Sequence, residues 1–317
     1  MTHQALESTY PAGANPRSQP PAVAHVNDVK IVYDTFGDPN APPMLLIMGI
    51  GCQLIDWPDE FCAQLAACGY WVIRFDNRDV GLSTKLDAAG VPIISALLEA
   101  QERGETLPVP YLLRDMGADA VGLLDILGIE SAHIVGLSMG GAIAQAIAIH
   151  YPQRVSTLTS IMASSGAPGL PPPTERAWAI LSEPAPNDRA GYIEYRLYHR
   201  RVLAGPAYPI DETRACKHAG RRFDRAGLCP AGFARQLAAI IASGGRKRAL
   251  GSVTAPTLVI HGKADPLVPL ECGIDVAHAV PGAELLIIEG MGHDWRPPSL
   301  WPQMLEAIAR HASAAAA

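Results

Sequence analysis

The segment IVGLSMGGA, residues 134–142, constrains the fold of this chain more than any other part of its sequence. It predicts an apolar strand, a tight turn at Ser138, and a helix of small residues that runs to His150. A serine on such a turn projects its hydroxyl above a sheet only if the residues two before and two after it lack side chains. Gly136 and Gly140 meet that requirement. Ser138 is therefore a candidate nucleophile, and the competing interpretation is an ordinary serine cap on a helix.

Short apolar segments alternate with helical patterns on both sides of this turn. Continuous apolar runs are typical of strands buried on both faces, and alternating strands and helices are typical of a parallel sheet. Strands are expected at residues 44–48, 70–75, 133–137, 155–162, 257–260 and 285–288, a hairpin of edge strands at 25–36, and helices at 57–67, 116–127 and 302–311. The pattern predicts an α/β fold with a mostly parallel central sheet and helices on both faces.

The alternation stops between residues 166 and 251, where aromatic residues lie on probable helices and no buried strand is indicated. We expect a helical cap at 166–251 that is inserted into a core made of residues 25–165 and 252–317, preceded by a flexible tail at 1–24. The cap segment carries 14 Lys and Arg against 7 Asp and Glu, a net charge of +7 in a chain of net charge −6. This charge indicates either a solvated face docked on an acidic core or a site for an anionic substrate.

Composition excludes several classes of function. The net charge of −6 argues against a general nucleic-acid-binding protein. No apolar run reaches the roughly 18 residues that a membrane span needs, and the N-terminus lacks the apolar core of a signal peptide. The six cysteines form no C-x-x-C pair, which indicates free thiols in a reducing cytoplasm. No metal site or cofactor is predicted, and the oligomeric state is left open.

A serine nucleophile needs a base and a carboxylate that orients the base. After Ser138 the chain offers Asp265, which follows the expected strand at 257–260, and His293, which follows the expected strand at 285–288. Both would lie at the carboxyl ends of strands, where open α/β sheets form their sites. Individually they could be a turn aspartate and a loop histidine. Their order and placement predict Asp265 and His293 as acid and base.

The reaction also needs donors for a developing oxyanion. The backbone N–H of Met139 begins the helix after Ser138, and the N–H of Ile50 lies in the loop after the strand at 44–48. Gly49 and Gly51 flank Ile50 and would let this backbone approach a substrate closely. The alternative is a glycine turn that serves only to reverse the chain.

These segments resemble the α/β-hydrolase superfamily of serine hydrolases, and within it the group that contains aclacinomycin methylesterase. The resemblance covers residues 45–86, with the motifs WPDEF at 57–61 and RFDNRDVGLS at 74–83, and residues 115–166 and 255–293. Two positions depart from the wider superfamily: Met48 replaces a common histidine, and Asp79 replaces a common glycine. Ser138 also separates the chain from members that use an aspartate nucleophile.

The resemblance implies a carboxylic ester hydrolase with a Ser138–His293–Asp265 triad and an acyl-enzyme intermediate. A lactonase, a carbon–carbon bond hydrolase or a perhydrolase would use the same triad, and a non-catalytic binding protein on this fold is a third possibility. The apolar and aromatic cap favours a mostly hydrophobic small-molecule ester of moderate size. The cap resembles the group much less than the core does, so the identity of the substrate is not implied.

Overall fold

The computed structural model of the chain describes residues 19–314. Within this range the strands are β1 (Gln19–Val26), β2 (Val29–Phe36), β3 (Pro43–Ile47), β4 (Trp71–Phe75), β5 (Ala132–Leu137), β6 (Val155–Ile161), β7 (Thr257–Gly262) and β8 (Glu284–Ile288). They form one sheet in the order β1-β2-β4-β3-β5-β6-β7-β8. The pairings of β1 with β2 and of β2 with β4 are antiparallel, and every other pairing is parallel.

Helices follow most of the strands, and a run of helices separates β6 from β7. None of the helices in the described part of the chain is long and apolar enough to cross a membrane. The helices are α1 (Asp59–Ala67), α2 (Ile94–Glu102), α3 (Leu113–Ile126), α4 (Met139–His150), α5 (Glu175–Ser182), α6 (Arg189–Leu203), α7 (Glu212–Ala226), α8 (Pro230–Ala242), α9 (Lys247–Leu250), α10 (Leu270–Ala279) and α11 (Trp301–Ala314).

Two apolar cores lie on opposite faces of the sheet. In β3, Leu45 and Ile47 pack into one core while Met44 and Leu46 pack into the other, because successive side chains of a strand point to opposite faces. The first core contains residues of α3, α4 and α10, and the second contains residues of α1 and α11. Both faces are therefore covered by helices, and the predicted α/β architecture is confirmed.

The expected boundaries at the N-terminus need two corrections. Strand β1 begins at Gln19, and Ala24 within it is buried, so the expected tail is wrong for residues 19–24; residues 1–18 lie outside the described range. The prolines at 20 and 21 hid this strand, but the register is irregular between Gln19 and Ala22, and such an edge tolerates proline. Strand β2 is not an edge strand, since it pairs with both β1 and β4.

We use the term helical insertion for α5 to α8, residues 175–242, which lie between β6 and β7. Arginines of this insertion pair with acidic residues outside it, and these contacts favour the interpretation that its positive charge docks on an acidic core. The pairs are Arg200–Asp294, Arg214–Glu60, Arg221–Asp59, Arg222–Asp56, Arg225–Asp76 and Arg235–Asp79.

Candidate active site

The residues that the sequence singles out follow the carboxyl ends of four strands of one sheet. Ser138 follows β5, Gly49 and Ile50 follow β3, Asp265 follows β7, and His293 follows β8. Strands β3 and β5 are neighbours, although β4 lies between them in the chain and on the other side of β3 in the sheet. Such a reversal of strand order opens a crevice at the strand ends, which is where open α/β sheets bind ligands.

Ser138 has the strained backbone that a strand-to-helix turn requires. Its φ is 57° and its ψ is −120°, and its N–H donates to the Ile161 carbonyl at 2.8 Å. A Cβ on Gly136 would lie 2.1 Å from the Gly140 carbonyl oxygen, and a Cβ on Gly140 would lie 2.1 Å from the Ile47 carbonyl oxygen. Both glycines are therefore required by close backbone approaches, the first to the start of α4 and the second to the end of β3.

Ser138, His293 and Asp265 form a continuous hydrogen-bonded chain. His293 Nε2 lies 3.0 Å from Ser138 Oγ, and His293 Nδ1 lies 2.7 Å from Asp265 Oδ2. The other carboxylate oxygen, Asp265 Oδ1, accepts from the backbone N–H groups of Leu267 and Val268 at 2.9 and 2.8 Å. The carboxylate is thus held by its own loop and presents its remaining oxygen to the imidazole.

Two neighbouring polar residues form their hydrogen bonds with other groups, although His261 Nε2 also lies 3.8 Å from Asp265 Oδ2. His261 is buried, its Nε2 lies 2.8 Å from the Val268 carbonyl oxygen, and burial lowers its pKa. Asp294 is buried between two arginines, Arg200 at 2.8 Å and Arg296 at 3.0 Å. Both residues therefore stabilise loops beside the hydrogen-bonded chain, and neither orients the His293 ring.

The glycine loop after β3 lies directly against Ser138. A Cβ on Gly49 would lie 3.2 Å from Ser138 Cβ, and Gly49, Ile50 and Gly51 all line the cavity at the site. Across residues 19–314 the backbone N–H groups of Ile50 and Met139 have no hydrogen-bond acceptor in the protein. The N–H of Gly51 is different, because it donates to Gln236 Oε1 at 2.8 Å. Met139 is buried and is not among the residues that line the cavity.

A cavity of about 490 Å³ opens beside Ser138 and His293. The loops after β3 and β5 form one wall, and helices α5 to α8 of the insertion form the other. This volume lies in the range of roughly 300–1,000 Å³ that is common for small-molecule sites. The apolar side chains that line it include Ile180, Leu181, Tyr192, Phe233, Leu237 and Trp295.

The residues that line the cavity include the charged groups Asp56 and Arg222, which are buried, and Arg296, which is partly buried. Asp56 is bound by Arg222 at 2.5 Å and by His218 at 3.0 Å, with Arg296 at 3.6 Å. Burial by itself raises the pKa of Asp56, but Arg222, His218 and Arg296 outweigh it and hold the pKa well below its usual range. The carboxylate is therefore ionised and fully engaged, and it links α7 to the short 3-10 turn Leu54–Asp56 that precedes α1.

His199 also lines the cavity, from α6. It is 7% exposed, its ring centroid lies 3.9 Å from that of Tyr195, and its Nε2 lies 3.5 Å from Glu183. Burial, together with the positive charge of Arg196, lowers its pKa to about 3. This imidazole is therefore neutral at physiological pH.

Sequence patterns did not identify the residues that the insertion contributes to the site. Arg222, Phe233 and Gln236 contact the glycine loop but follow it by more than 160 residues. Asp79 was recognised only as a departure from a glycine position. Its carboxylate accepts from Arg235 at 2.7 and 2.9 Å, from Tyr111 Oη at 2.7 Å and from the Leu86 N–H at 2.8 Å. No periodicity or motif marks such partners in advance.

The histidines, cysteines and carboxylates of residues 19–314 are the side chains that could bind a metal ion or, for cysteine, form a disulfide. Among residues 19–314 no group of His, Cys, Asp and Glu is arranged to hold a metal ion. All six cysteines fall in this range and are free thiols.

Comparison with known proteins identifies the family to which this fold belongs. The alpha/beta hydrolase fold family matches residues 42–294. The rhodomycin D methylesterase of Streptomyces peucetius is 31% identical over 316 aligned positions, which cover 91% of this chain and 97% of that protein. A 2-hydroxy-6-oxononadienedioate/2-hydroxy-6-oxononatrienedioate hydrolase of Cupriavidus pinatubonensis is 30% identical, with coverage of 80% and 81%.

Solved structures agree on the fold. A meta-cleavage product hydrolase from Pseudomonas fluorescens superposes with a TM-score of 0.71 at 21% identity, covering 93% of this chain and 98% of that chain. The strand order, the turn at Ser138 and the family match over residues 42–294 agree with one another. The chain therefore belongs to the alpha/beta-hydrolase family.

Proposed function

We propose that this protein hydrolyses carboxylic esters by a serine mechanism, with Ser138 as nucleophile, His293 as general base and Asp265 as the orienting carboxylate. The observation that carries the proposal is the hydrogen-bonded chain from Ser138 Oγ through the imidazole to Asp265, with distances of 3.0 and 2.7 Å. This chain borders a cavity that suits a small molecule. The identity of 31% to a rhodomycin D methylesterase supports an ester as the bond attacked.

The first half of the reaction forms an acyl-enzyme. Asp265 Oδ2 accepts a hydrogen bond from the Nδ1–H of His293, and this tautomer leaves Nε2 unprotonated and directed at the Ser138 hydroxyl. As Ser138 Oγ attacks the ester carbonyl carbon, Nε2 takes the hydroxyl proton. Collapse of the tetrahedral intermediate breaks the bond to the alcohol oxygen, and the imidazolium returns the proton to that oxygen.

The second half releases the acid. A water molecule enters where the alcohol left, His293 takes its proton, and the hydroxide attacks the acyl carbon. Collapse of this second intermediate breaks the bond between the acyl carbon and Ser138 Oγ, and the imidazolium returns its proton to that oxygen. In both halves the negative charge on the carbonyl oxygen needs nearby donors, and the unpaired N–H groups of Ile50 and Met139 are the ones we assign.

The cavity supports a mostly hydrophobic substrate of moderate size. Its volume of about 490 Å³ and its apolar lining from Tyr192, Phe233 and Leu237 favour an ester with a ring or a branched chain near the reacting bond. The insertion supplies these side chains, and we propose that it acts as the cap predicted at residues 166–251.

A carbon–carbon bond hydrolase is the second candidate. The identity of 30% to a 2-hydroxy-6-oxononadienedioate hydrolase favours it, because the same serine chain can serve another bond to a carbonyl carbon. A panel of substrates separates the two proposals. An ester hydrolase turns over p-nitrophenyl acyl esters and aryl-substituted methyl esters, whereas a dedicated carbon–carbon hydrolase turns over vinylogous diketones and leaves simple esters nearly untouched. Lactones and peracid formation complete the panel, since a lactonase or a perhydrolase would use the same chain.

Replacement of Ser138 tests the proposed function directly. We expect Ser138→Ala to lower kcat on a p-nitrophenyl ester by about 10⁴-fold or more, and to abolish labelling by a fluorophosphonate at that peptide. The matched control is Ser156→Ala on β6, where the hydroxyl donates to Ser131 Oγ outside the site, and there kcat should not change. Near-wild-type turnover by Ser138→Ala would refute the serine mechanism.

A further inference from the structure

Two side chains of the helical insertion form hydrogen bonds with the backbone N–H and the backbone carbonyl of Gly51, in the loop after β3. The Gly51 N–H donates to Gln236 Oε1 at 2.8 Å, and the Gly51 carbonyl oxygen accepts from Arg222 Nη2 at 2.8 Å. Gln236 belongs to α8 and Arg222 to α7. The polar groups of one residue in a core loop are thus satisfied by two different helices of the insertion.

Both side chains are themselves fixed. Gln236 is 0% exposed and its Nε2 donates to the Arg78 carbonyl at 2.8 Å, so its amide orientation is set at both ends. Arg222 is 3% exposed and is held by Asp56 at 2.5 Å. Phe233, one turn before Gln236 on α8, packs on the loop so closely that a Cβ on Gly51 would lie 2.6 Å from its ring. The loop is therefore held by two buried side chains, Gln236 and Arg222, and by the partly buried ring of Phe233.

The contacts of Gln236, Arg222 and Phe233 restrain the segment that carries a proposed oxyanion donor. Ile50 precedes Gly51, whose φ is +62°, and the Cys52 N–H closes the turn onto the Gly49 carbonyl at 3.2 Å. With two glycines in three residues, this backbone has many accessible conformations unless contacts restrict it. Gln236 accepts from the Gly51 N–H, whereas the Ile50 N–H has no hydrogen-bond acceptor among residues 19–314.

We propose that Gln236, with Arg222, is a positioning residue that holds the Ile50 N–H in place for the oxyanion, so that docking of the insertion completes the oxyanion site. This inference rests on the proposed serine mechanism. Oxyanion donors contribute to catalysis only when their direction is fixed before the reaction. A loop released from α7 and α8 keeps its substrate-binding surface but loses that fixed direction, so the defect should fall on the transition state.

The decisive variant is Gln236→Met, which keeps a side chain of similar length and removes both hydrogen bonds. We expect kcat per titrated active site to fall on the order of 10- to 100-fold, with KM changed by less than about threefold. The inhibition constant of a trifluoromethyl ketone should rise by the same factor as kcat/KM falls, because its hemiketal oxygen uses the same donors. Active sites are counted by the end point of fluorophosphonate labelling, so unfolded protein does not enter kcat.

Gln145→Met is the matched control. Gln145 is also a fully buried glutamine with two side-chain contacts, to Ser160 and Arg246, but it lies away from the glycine loop. It should lose stability to a similar extent while kcat per site and the inhibition constant stay unchanged. Gln236→Glu should fall between wild type and Gln236→Met, because its carboxylate still accepts from the Gly51 N–H.

If Gln236→Met does not fold, Gly51→Ala perturbs the same loop from the core side by forcing its Cβ against Phe233. It should show the same parallel change in kcat/KM and in ketone binding. The proposal is overturned if Gln236→Met, or Gly51→Ala in its place, retains kcat per site and ketone affinity within about twofold of wild type. Failure of the serine mechanism is a different result, since wild type itself would then neither turn over esters nor be labelled at Ser138.

Discussion

Gly140→Ala tests whether the turn at Ser138 needs glycine for the geometric reason that the structure indicates. The added Cβ would lie 2.1 Å from the Ile47 carbonyl oxygen and 2.9 Å from the Met48 carbonyl oxygen, and contacts of Cβ below 3.0 Å essentially never occur. The end of β3 and the start of α4 must therefore separate by about 0.9 Å, the difference between 3.0 and 2.1 Å. Backbone atoms are involved on both sides, so no side chain can rotate away.

The displacement falls between the proposed nucleophile and the proposed oxyanion donor. Gly49 and Ile50 follow β3 directly, whereas Ser138 is joined to α4. A misplacement of about 1 Å costs on the order of 10²-fold in rate, so we expect kcat per active site to fall by roughly that factor. Overpacking of the turn should also lower the free energy of unfolding by roughly 1–3 kcal/mol.

The assay measures p-nitrophenyl ester turnover per fluorophosphonate-titrated site, together with urea unfolding. Gly117→Ala in α3 is the matched control, because its Cβ would meet a side-chain atom of Ile147 at 3.1 Å rather than backbone, a contact that a shift of a few tenths of an ångström would relieve. This variant gains up to about 1 kcal/mol of helix propensity and should keep its kcat. A Gly140→Ala protein that titrates fully and keeps kcat within about twofold would refute the geometric reasoning.

Three further predictions follow from the ion pairs and hydrogen bonds. Asp265→Asn should lower kcat by about 10⁴-fold with little change in KM, because the amide can donate to His293 Nδ1 and stabilise the wrong tautomer of the ring. A variant whose kcat at neutral pH equals that of wild type would exclude the orienting role. Arg235→Met and Asp79→Asn each break an ion pair whose two side chains are 0% exposed, so each should lower the free energy of unfolding by roughly 3–5 kcal/mol. The double variant should lose at least about 1 kcal/mol less than the sum of the two single losses. Additive losses in urea unfolding would contradict the pairing. Because the pKa of His199 lies at about 3 in the folded chain and near 6.5 when unfolded, its stabilising contribution is complete above pH 6.5 and is lost as the pH falls toward 3. His199→Gln should therefore reduce the slope of unfolding free energy against pH in that window by about 1.4 kcal/mol per pH unit. An unchanged slope would contradict the burial of a neutral His199.

Much of the fold followed from local pattern. The runs at β3, β5 and β7 are apolar because both faces of those strands are buried, and such runs are visible in a sequence. Helices α2 and α10 were not predicted. Helix α2 buries only Leu97, and the buried face of α10 consists largely of small residues, Cys272, Gly273, Val276 and Ala277, together with Asp275. Strand β1 was missed in part because its prolines suggested a loop.

The proximity of Ser138, Asp265 and His293 could be predicted from the sequence, because the carboxyl ends of parallel strands lie at one edge of a sheet. Their hydrogen-bond distances, and the pKa of about 3 for His199 in the same cavity, depend on packing that no local pattern encodes. The expectation that Gly51 serves the substrate remains a prediction. Its N–H and carbonyl are already bound by the insertion, a fact that only the folded chain reveals.

The sequence by itself determined the strained turn and the order of its partners, because glycine spacing and strand periodicity act over a few residues. Tertiary structure decided how the helical insertion meets the core. Gln236 binds Gly51 across 185 positions of the chain, and Arg235 binds Asp79 across 156. Contacts between residues so far apart in the chain form only when the helical insertion packs on the core. Packing buries these polar groups, and each buried polar group needs a hydrogen-bond partner within reach.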